Sequence, residues 1–191
     1  MRHFLAILLC LCLIPNAGSA ASSDEHKASR PELFHPKTGL RIGRFRGPTP
    51  DDVPKAKRIS AAQVRAMTKA VRLDVGPAAS SRYDDLDGTW LVNRQHMSLP
   101  GATWLPEVGR GVLTPILRSY LERNLARLTA GKKTRPIVVF CIADCWMSWN
   151  AAQRIHAMGY TSIHWYAEGT DGWLDQGWKL APVDPVPVNV D

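Results

Sequence analysis

Cysteine is scarce in this chain, with four among 191 residues. Two of them, Cys10 and Cys12, sit in an apolar leader, so without that leader only Cys141 and Cys145 remain. A bridge between positions so close constrains little of the unfolded chain, which excludes a disulfide-scaffolded fold. Long apolar runs are lacking too. The longest, Phe4 to Ile14, has 11 residues, fewer than the roughly 20 that span a bilayer. At 45% hydrophobic and 21% charged, the sequence is neither poor enough in apolar residues for disorder nor biased enough for a fibre. Its length points to one ordinary globular domain rather than a two-domain enzyme.

The leader has the marks of an export signal. Arg2 and His3 give a basic start, Pro15 ends the apolar run, and Gly18-Ser19-Ala20 offers small side chains to a peptidase. Residues 1–20 are therefore expected to be a signal peptide, cleaved near Ala20. Leu8 and Leu9 precede Cys10 where a lipoprotein would need small residues. No membrane span is expected in the mature chain.

Acidic residues are outnumbered, 17 Asp+Glu against 24 Lys+Arg, and the imbalance is local. Residues 21–65 carry 10 basic and 5 acidic side chains, whereas 66–191 carry 13 and 12. A basic N-terminal stretch can steer an acidic partner or touch anionic lipid, or simply be solvated. Nucleic acid is not an expected partner of an exported chain.

Residues 21–56 hold Pro31, Pro36, Pro48, Pro50 and Pro54 with Gly39, Gly43 and Gly47. This punctuation excludes a long helix or a central strand, and predicts an irregular arm packed through Phe34, Leu40, Ile42 and Phe45. All seven tryptophans lie between Trp90 and Trp178, which places the core later. Ser60 with Gln63 forms a capping box, and Val64, Met67 and Val71 follow at helical spacing. Leu73-Asp74-Val75 reads as a short strand stopped by Gly76-Pro77. Thr114-Pro115 opens a helix with Leu117, Leu121, Leu125 and Leu128 on one face, ended by Gly131. Residues 136–140 read as a strand covered on both faces. A helix over 149–158, closed by Gly159, and a strand over 162–166 complete a β-loop-α-β crossover. Cys141 then lies at the C-terminal edge of a parallel sheet, where open α/β folds bind ligands.

A cysteine between strand and helix can meet successive backbone N–H groups and the positive helix end, both of which favour thiolate. The helix end supplies only ~0.3–1 kcal/mol, so the loop amides must do most of the work. Asp144 is expected to act against them by placing a negative charge beside the thiols.

In order along the chain come Ile59-Ser60, Leu73-Asp74-Val75, His96 with Leu99-Pro100-Gly101-Ala102, Leu105-Pro106, Cys141, Gly159-Tyr160, and Gly169 with Trp173 and Gly177. This ordered set, from about Lys57 to Val183, resembles the single-domain rhodanese family. The resemblance implies a fold of about five parallel strands flanked by helices over 57–183, after the arm and before a C-terminal tail at 184–191. The run from Cys141 to Trp146 and the proline-rich arm are similar to exported Cys-Cys-Trp motif proteins associated with pyrroloquinoline-quinone-dependent alcohol catabolism. That likeness implies a periplasmic setting among quinoprotein dehydrogenases and cytochromes.

Carried over by resemblance, Cys141 is the nucleophile that holds a persulfide. Ile142, Ala143, Asp144, Trp146, Met147 and Ser148 form the substrate-binding loop. Met147 stands where the family usually has a cation, and Gly76 replaces the arginine of its Asp-Val-Arg strand end. Efficient use of thiosulfate is therefore not expected, and phosphate ester hydrolysis still less, because a dianion needs an arginine fork. In place of the cation, Cys145 can resolve a persulfide or mixed disulfide on Cys141. Trp146 and Trp149 either wall the site or pack in the core. His96 either marks the loop or acts as a base. Glu168, Asp171 and Asp175 read as solvated turn residues.

Two further readings stay open. One is a non-catalytic binding or assembly module for a quinoprotein dehydrogenase or cytochrome, and the other is Cu(I) delivery through Cys141, Cys145 and Met147. No cofactor and no bound metal are expected on the leading reading, which is sulfane-sulfur transfer or thiol–disulfide exchange with a small sulfur compound or a protein thiol.

Overall fold

The computed structural model describes residues 21–188, so the leader at 1–20 and the last three residues of the tail lie outside the described residues. In chain order the elements are α1 Ser23–Ser29, β1 Lys57–Arg58, α2 Ala61–Ala66, β2 Val71–Asp74, β3 His96–Ser98 and β4 Ala102–Trp104. They continue with α3 Pro115–Thr129, β5 Ile137–Phe140, α4 Trp146–Ala157, β6 Ile163–Tyr166, α5 Gly169–Asp175 and β7 Ala181–Val183. Five strands form one parallel sheet in the order β1-β6-β5-β2-β4, while β3 and β7 pair antiparallel. This is the expected α/β architecture.

The sheet's two faces follow from the period of a strand. In β5, Ile137 and Val139 point into one cluster with Leu121 and Leu125 of α3 and with Trp149 and Ile155 of α4. Val138 and Phe140 point into the other, with Val64 of α2 and Trp173 of α5. Full burial of each such aliphatic side chain contributes roughly 1.5–3 kcal/mol. The predicted caps form: Ser60 accepts from the Gln63 N–H, with the reciprocal bond present, and Thr114 accepts from the Leu117 N–H. Leu121 and Leu125 are buried, while Leu117 and Leu128 are partly so.

Four features differ from expectation. First, the arm holds a helix, α1, capped by a reciprocal Ser22–Glu25 box. Phe34 and Leu40 are buried as expected, but Ile42 is 39% exposed. Second, the arm is built into the domain. Val53 and Phe34 belong to the larger core cluster, Asn150 exchanges hydrogen bonds of 2.8 Å with both the N–H and C=O of Arg41, and the Trp149 indole donates to Asp52 C=O. Third, the segment set apart as a tail is packed: Val188 is fully buried, and Val186 C=O accepts from Tyr120 Oη and the Trp90 indole. Fourth, α4 begins three residues earlier than predicted, at Trp146, which changes which cysteine it serves. Among the described residues no helix is long and apolar enough to cross a membrane.

Candidate active site

Strand β5 ends at Phe140, and residues 141–145 cross the top of the sheet. Asp144 turns the chain at φ 52°, a left-handed conformation that aspartate tolerates better than most residues. Cys145 then returns to an extended conformation as the N-cap of α4, and Ser148 Oγ donates back to Cys145 C=O at 3.0 Å. Gly169 holds the far side. A Cβ there would lie 2.3 Å from Cys141 C=O, so only glycine allows this approach, and the next N–H, of Thr170, donates to that same oxygen at 3.0 Å.

Cys141 and Cys145 are both free and both 2% exposed, and their thiols share a hydrogen bond. The bond acts oppositely on the two. It pushes Cys141 well above the ordinary thiol range, as do burial, the charge on Cys145 and the carboxylate of Asp74. It pulls Cys145 below that range, and although burial opposes, the Met147 and Ser148 N–H groups and Arg46 add to the pull. Of the two, Cys145 therefore loses its proton first, and the Cys141 thiol donates to the thiolate so formed. The cradle of amides expected around Cys141 falls mainly on Cys145, because α4 starts at Trp146. Cys141 Sγ receives one N–H, from Ile142.

Access follows the same division. A cavity of about 420 Å³ beside the loop is lined by Cys145, with Phe45, Pro77, Ile142 and Met147 as apolar walls and Arg44, Arg46 and Arg110 as cations. Cys141 does not line it. The cation lacking at Met147 is supplied from the arm: Arg46 Nη1 donates to Ala143 C=O at 2.7 Å, 97 positions along the chain. Arg46 also bridges to Cys145 in antiparallel fashion, with Gly47 N–H on Asp144 C=O and Trp146 N–H on Phe45 C=O. Arg110 is paired with Glu107 and lies over the Phe45 ring, 4.8 Å from its centroid. No local motif signals these arginines.

The remaining predicted residues divide clearly. Ile142 and Met147 wall the cavity, and Ala143 ties the loop to Asp171 by a 3.1 Å N–H bond. Asp171, exposed as expected, lies in α5 and also anchors the loop, and Glu168 pairs with Arg58 at 2.7 Å. Trp146 and Trp149 are core: Trp146 packs edge-on against Phe34 and Trp149, with the Arg41 guanidinium 4.6 Å from its ring centroid. Ser148 is fully buried and receives the Trp165 indole at 3.0 Å. The side chain of Asp144 is exposed. The carboxylate acting on the Cys141 thiol is that of Asp74, not Asp144.

Asp74 is 1% exposed and accepts from Gly76 N–H at 2.8 Å and Ser98 Oγ at 2.6 Å, with His96 Nε2 at 2.9 Å. His96 stacks on Trp104 with ring centroids 3.9 Å apart. A Cβ on Gly76 would sit 3.1 Å from Asp74 Oδ1, 3.6 Å from Cys141 Sγ and 3.9 Å from the His96 ring. The position that carries the family's arginine thus abuts Cys141, the cysteine that does not line the cavity. Among the described residues no group of three His, Cys, Asp or Glu can hold a metal ion, so copper would have to rest on two thiols and the Met147 thioether.

The sequence profile of the rhodanese-like domain matches residues 60–176, which is more than half of the chain. The chain belongs to the rhodanese-like domain family. Among solved structures it is similar to the polysulfide-sulfur transferase homodimer of Wolinella succinogenes, at 15% identity and a TM-score of 0.41, covering 66% of this chain and 79% of that one. It is also similar to the thiosulfate sulfurtransferase of Pseudomonas aeruginosa, at 23% identity and a TM-score of 0.44, covering 66% of this chain and 20% of that one. These likenesses are too distant to bear on the chemistry of this chain. No curated protein matches it.

Proposed function

We propose that this chain is an exported rhodanese-like protein that handles sulfane sulfur, or exchanges thiols and disulfides, through the Cys141–Cys145 pair. The resemblance implies Cys141 as nucleophile, but the geometry favours Cys145 for the first attack and Cys141 for resolution. One observation carries this assignment: Cys145, cradled by the Met147 and Ser148 amides, lines the arginine-rimmed cavity, and Cys141 does not. The setting, periplasmic support of quinone-dependent alcohol oxidation, rests on the leader and on the Cys-to-Trp motif.

Cys145 thiolate attacks the outer sulfur of a persulfide or polysulfide anion, forming a Cys145 persulfide as the donor's sulfur–sulfur bond breaks and its remaining thiolate leaves. Cys141 then attacks Cys145 Sγ. Its proton departs with the outer sulfur as hydrosulfide, and the two cysteines are left bridged. The sulfane sulfur is reduced to sulfide while both thiols are oxidised, so an external dithiol must reduce the bridge before another turnover. A disulfide substrate follows the same course through a mixed disulfide on Cys145.

Intact-mass measurement after exposure to polysulfide tests this. Cys141→Ser should retain one added sulfur atom, Cys145→Ser should retain none, and the wild type should lose two hydrogens and release sulfide. An adduct kept by Cys145→Ser would restore Cys141 as the nucleophile. Adduct-free spectra in all three would favour the alternative, a non-catalytic module for a quinoprotein dehydrogenase or cytochrome, which the burial of both sulfurs supports.

A further inference from the structure

A second cavity, of about 540 Å³, lies between the arm, residues 111–113 and the C-terminal half of α4, and shares no lining residue with the cysteine groove. Its volume is that of an ordinary small-molecule site. Every ionisable side chain lining it is basic: His35, Lys55, Arg118, Arg154 and His156. Leu40, Val112, Leu113 and Met158 supply an apolar bed.

No acidic side chain lines this cavity to balance its cations. Arg154 is fixed by three carbonyls, of Val108, Arg110 and Gly111, at 2.6–2.9 Å, so it cannot swing to another partner. Burial and the nearby Arg118 both disfavour its charge, lowering its pKa to about 10. Among the described residues neither Lys55 nor Arg118 has an ion-pair partner. Lys55 is held at φ 64°, a left-handed conformation that lysine rarely adopts without compensation. His35 Nδ1 accepts from the Lys37 and Thr38 N–H groups, which leaves Nε2 as its own N–H donor. His156 Nδ1 is buried with no hydrogen-bond partner. The C-terminal end of α4 lends at most about 0.3–1 kcal/mol to a nearby cation, less than a full negative charge would.

We propose that this cavity binds an amphipathic organic anion, an apolar body carrying a carboxylate or sulfonate, with Lys55 and Arg118 meeting the charge and Leu40, Val112 and Met158 the body. Such a ligand relieves the repulsion between Arg118 and Arg154 and offers His156 an acceptor or donor. The site is independent of the chemistry assigned to the cysteines.

The test uses the chain without its leader and two probes, anilinonaphthalene sulfonate and the uncharged phenylnaphthylamine. The sulfonate should bind saturably at one site, and the neutral dye clearly more weakly. Charge reversal at both Lys55→Glu and Arg118→Glu should weaken the sulfonate by about tenfold or more, with an unchanged circular dichroism spectrum. In a spectrum of methyl-labelled methionines the Met158 signal should move and the Met147 signal, from the cysteine groove, should not. Equal binding of the two dyes, indifference to the double reversal, or movement of Met147 in place of Met158 would each overturn the proposal.

Discussion

Removing the Cys141 thiol isolates the interaction that most favours thiolate at Cys145. Cys141→Ala deletes a hydrogen bond to a charged acceptor, worth about 1.5–3 kcal/mol. The Cys145 pKa should therefore rise, because the largest influence holding it down is gone. Losing one sulfur atom from a buried site costs about 0.5–1.5 kcal/mol by analogy with a deleted methyl, too little to unfold a domain of ordinary stability. Arg46→Ala is the comparison: its side chain is exposed, and exposed charge pairs are worth about 0.2–1 kcal/mol, so its effect on the midpoint should be the smaller. The assay is the pH titration of ultraviolet thiolate absorbance, with Cys145→Ser as the blank. The midpoint should lie below the ordinary thiol value in the wild type and move up in Cys141→Ala. An unchanged or lowered midpoint would refute the shared hydrogen bond as the cause. A larger shift in Arg46→Ala would move the credit to the arm's cation.

Gly109→Ala puts a Cβ 2.4 Å from Met147 C=O and 2.5 Å from its Cβ, and should destabilise the fold by about 1–3 kcal/mol in urea unfolding, with the α4 N-terminus disturbed. A neutral result would mean that the 105–113 loop is not pressed against α4. Tyr120, buried with its hydroxyl on Val186 C=O, has its pKa pushed up by burial. Its contribution is complete below the unfolded tyrosine value, near 10, and is lost as pH rises, because the unfolded chain ionises first. Tyr120→Phe should therefore cost about 0.5–1.5 kcal/mol at neutral pH yet show a shallower loss of stability in alkali. An unchanged alkaline slope would contradict the burial argument.

Periodicity made the central crossover legible. The unbroken apolar run ending at Phe140 and the leucine spacing of α3 specify buried elements whatever surrounds them. What stayed hidden depends on contacts between distant segments. The two-residue β1 has no period of its own and exists because Lys57 and Arg58 pair with His164 and Trp165. Nothing near the cysteine motif announces Arg46, which reaches the loop only because Asn150, Trp149 and Trp146 bind the arm against α4. Proline and glycine content marked that arm as irregular, which is true locally, but irregular backbone can be core when its polar groups find partners. The capping box of α1 was present in the sequence as Ser22 and Glu25. The placement of α4 decides the site. Ser148 looks like a helix-opening residue by composition, whereas its hydroxyl bonds back to Cys145 C=O inside the first turn, and the shift carries the amide cradle from Cys141 to Cys145.

The most direct test is site-resolved: fully reduced wild-type protein, exposed briefly near neutral pH to less than one equivalent of a small alkylating agent, then digested and mapped. A thiolate at the wall of the arginine-rimmed cavity requires the label on Cys145, with Cys141 modified only after unfolding. A label found first on Cys141 would contradict the account at its centre.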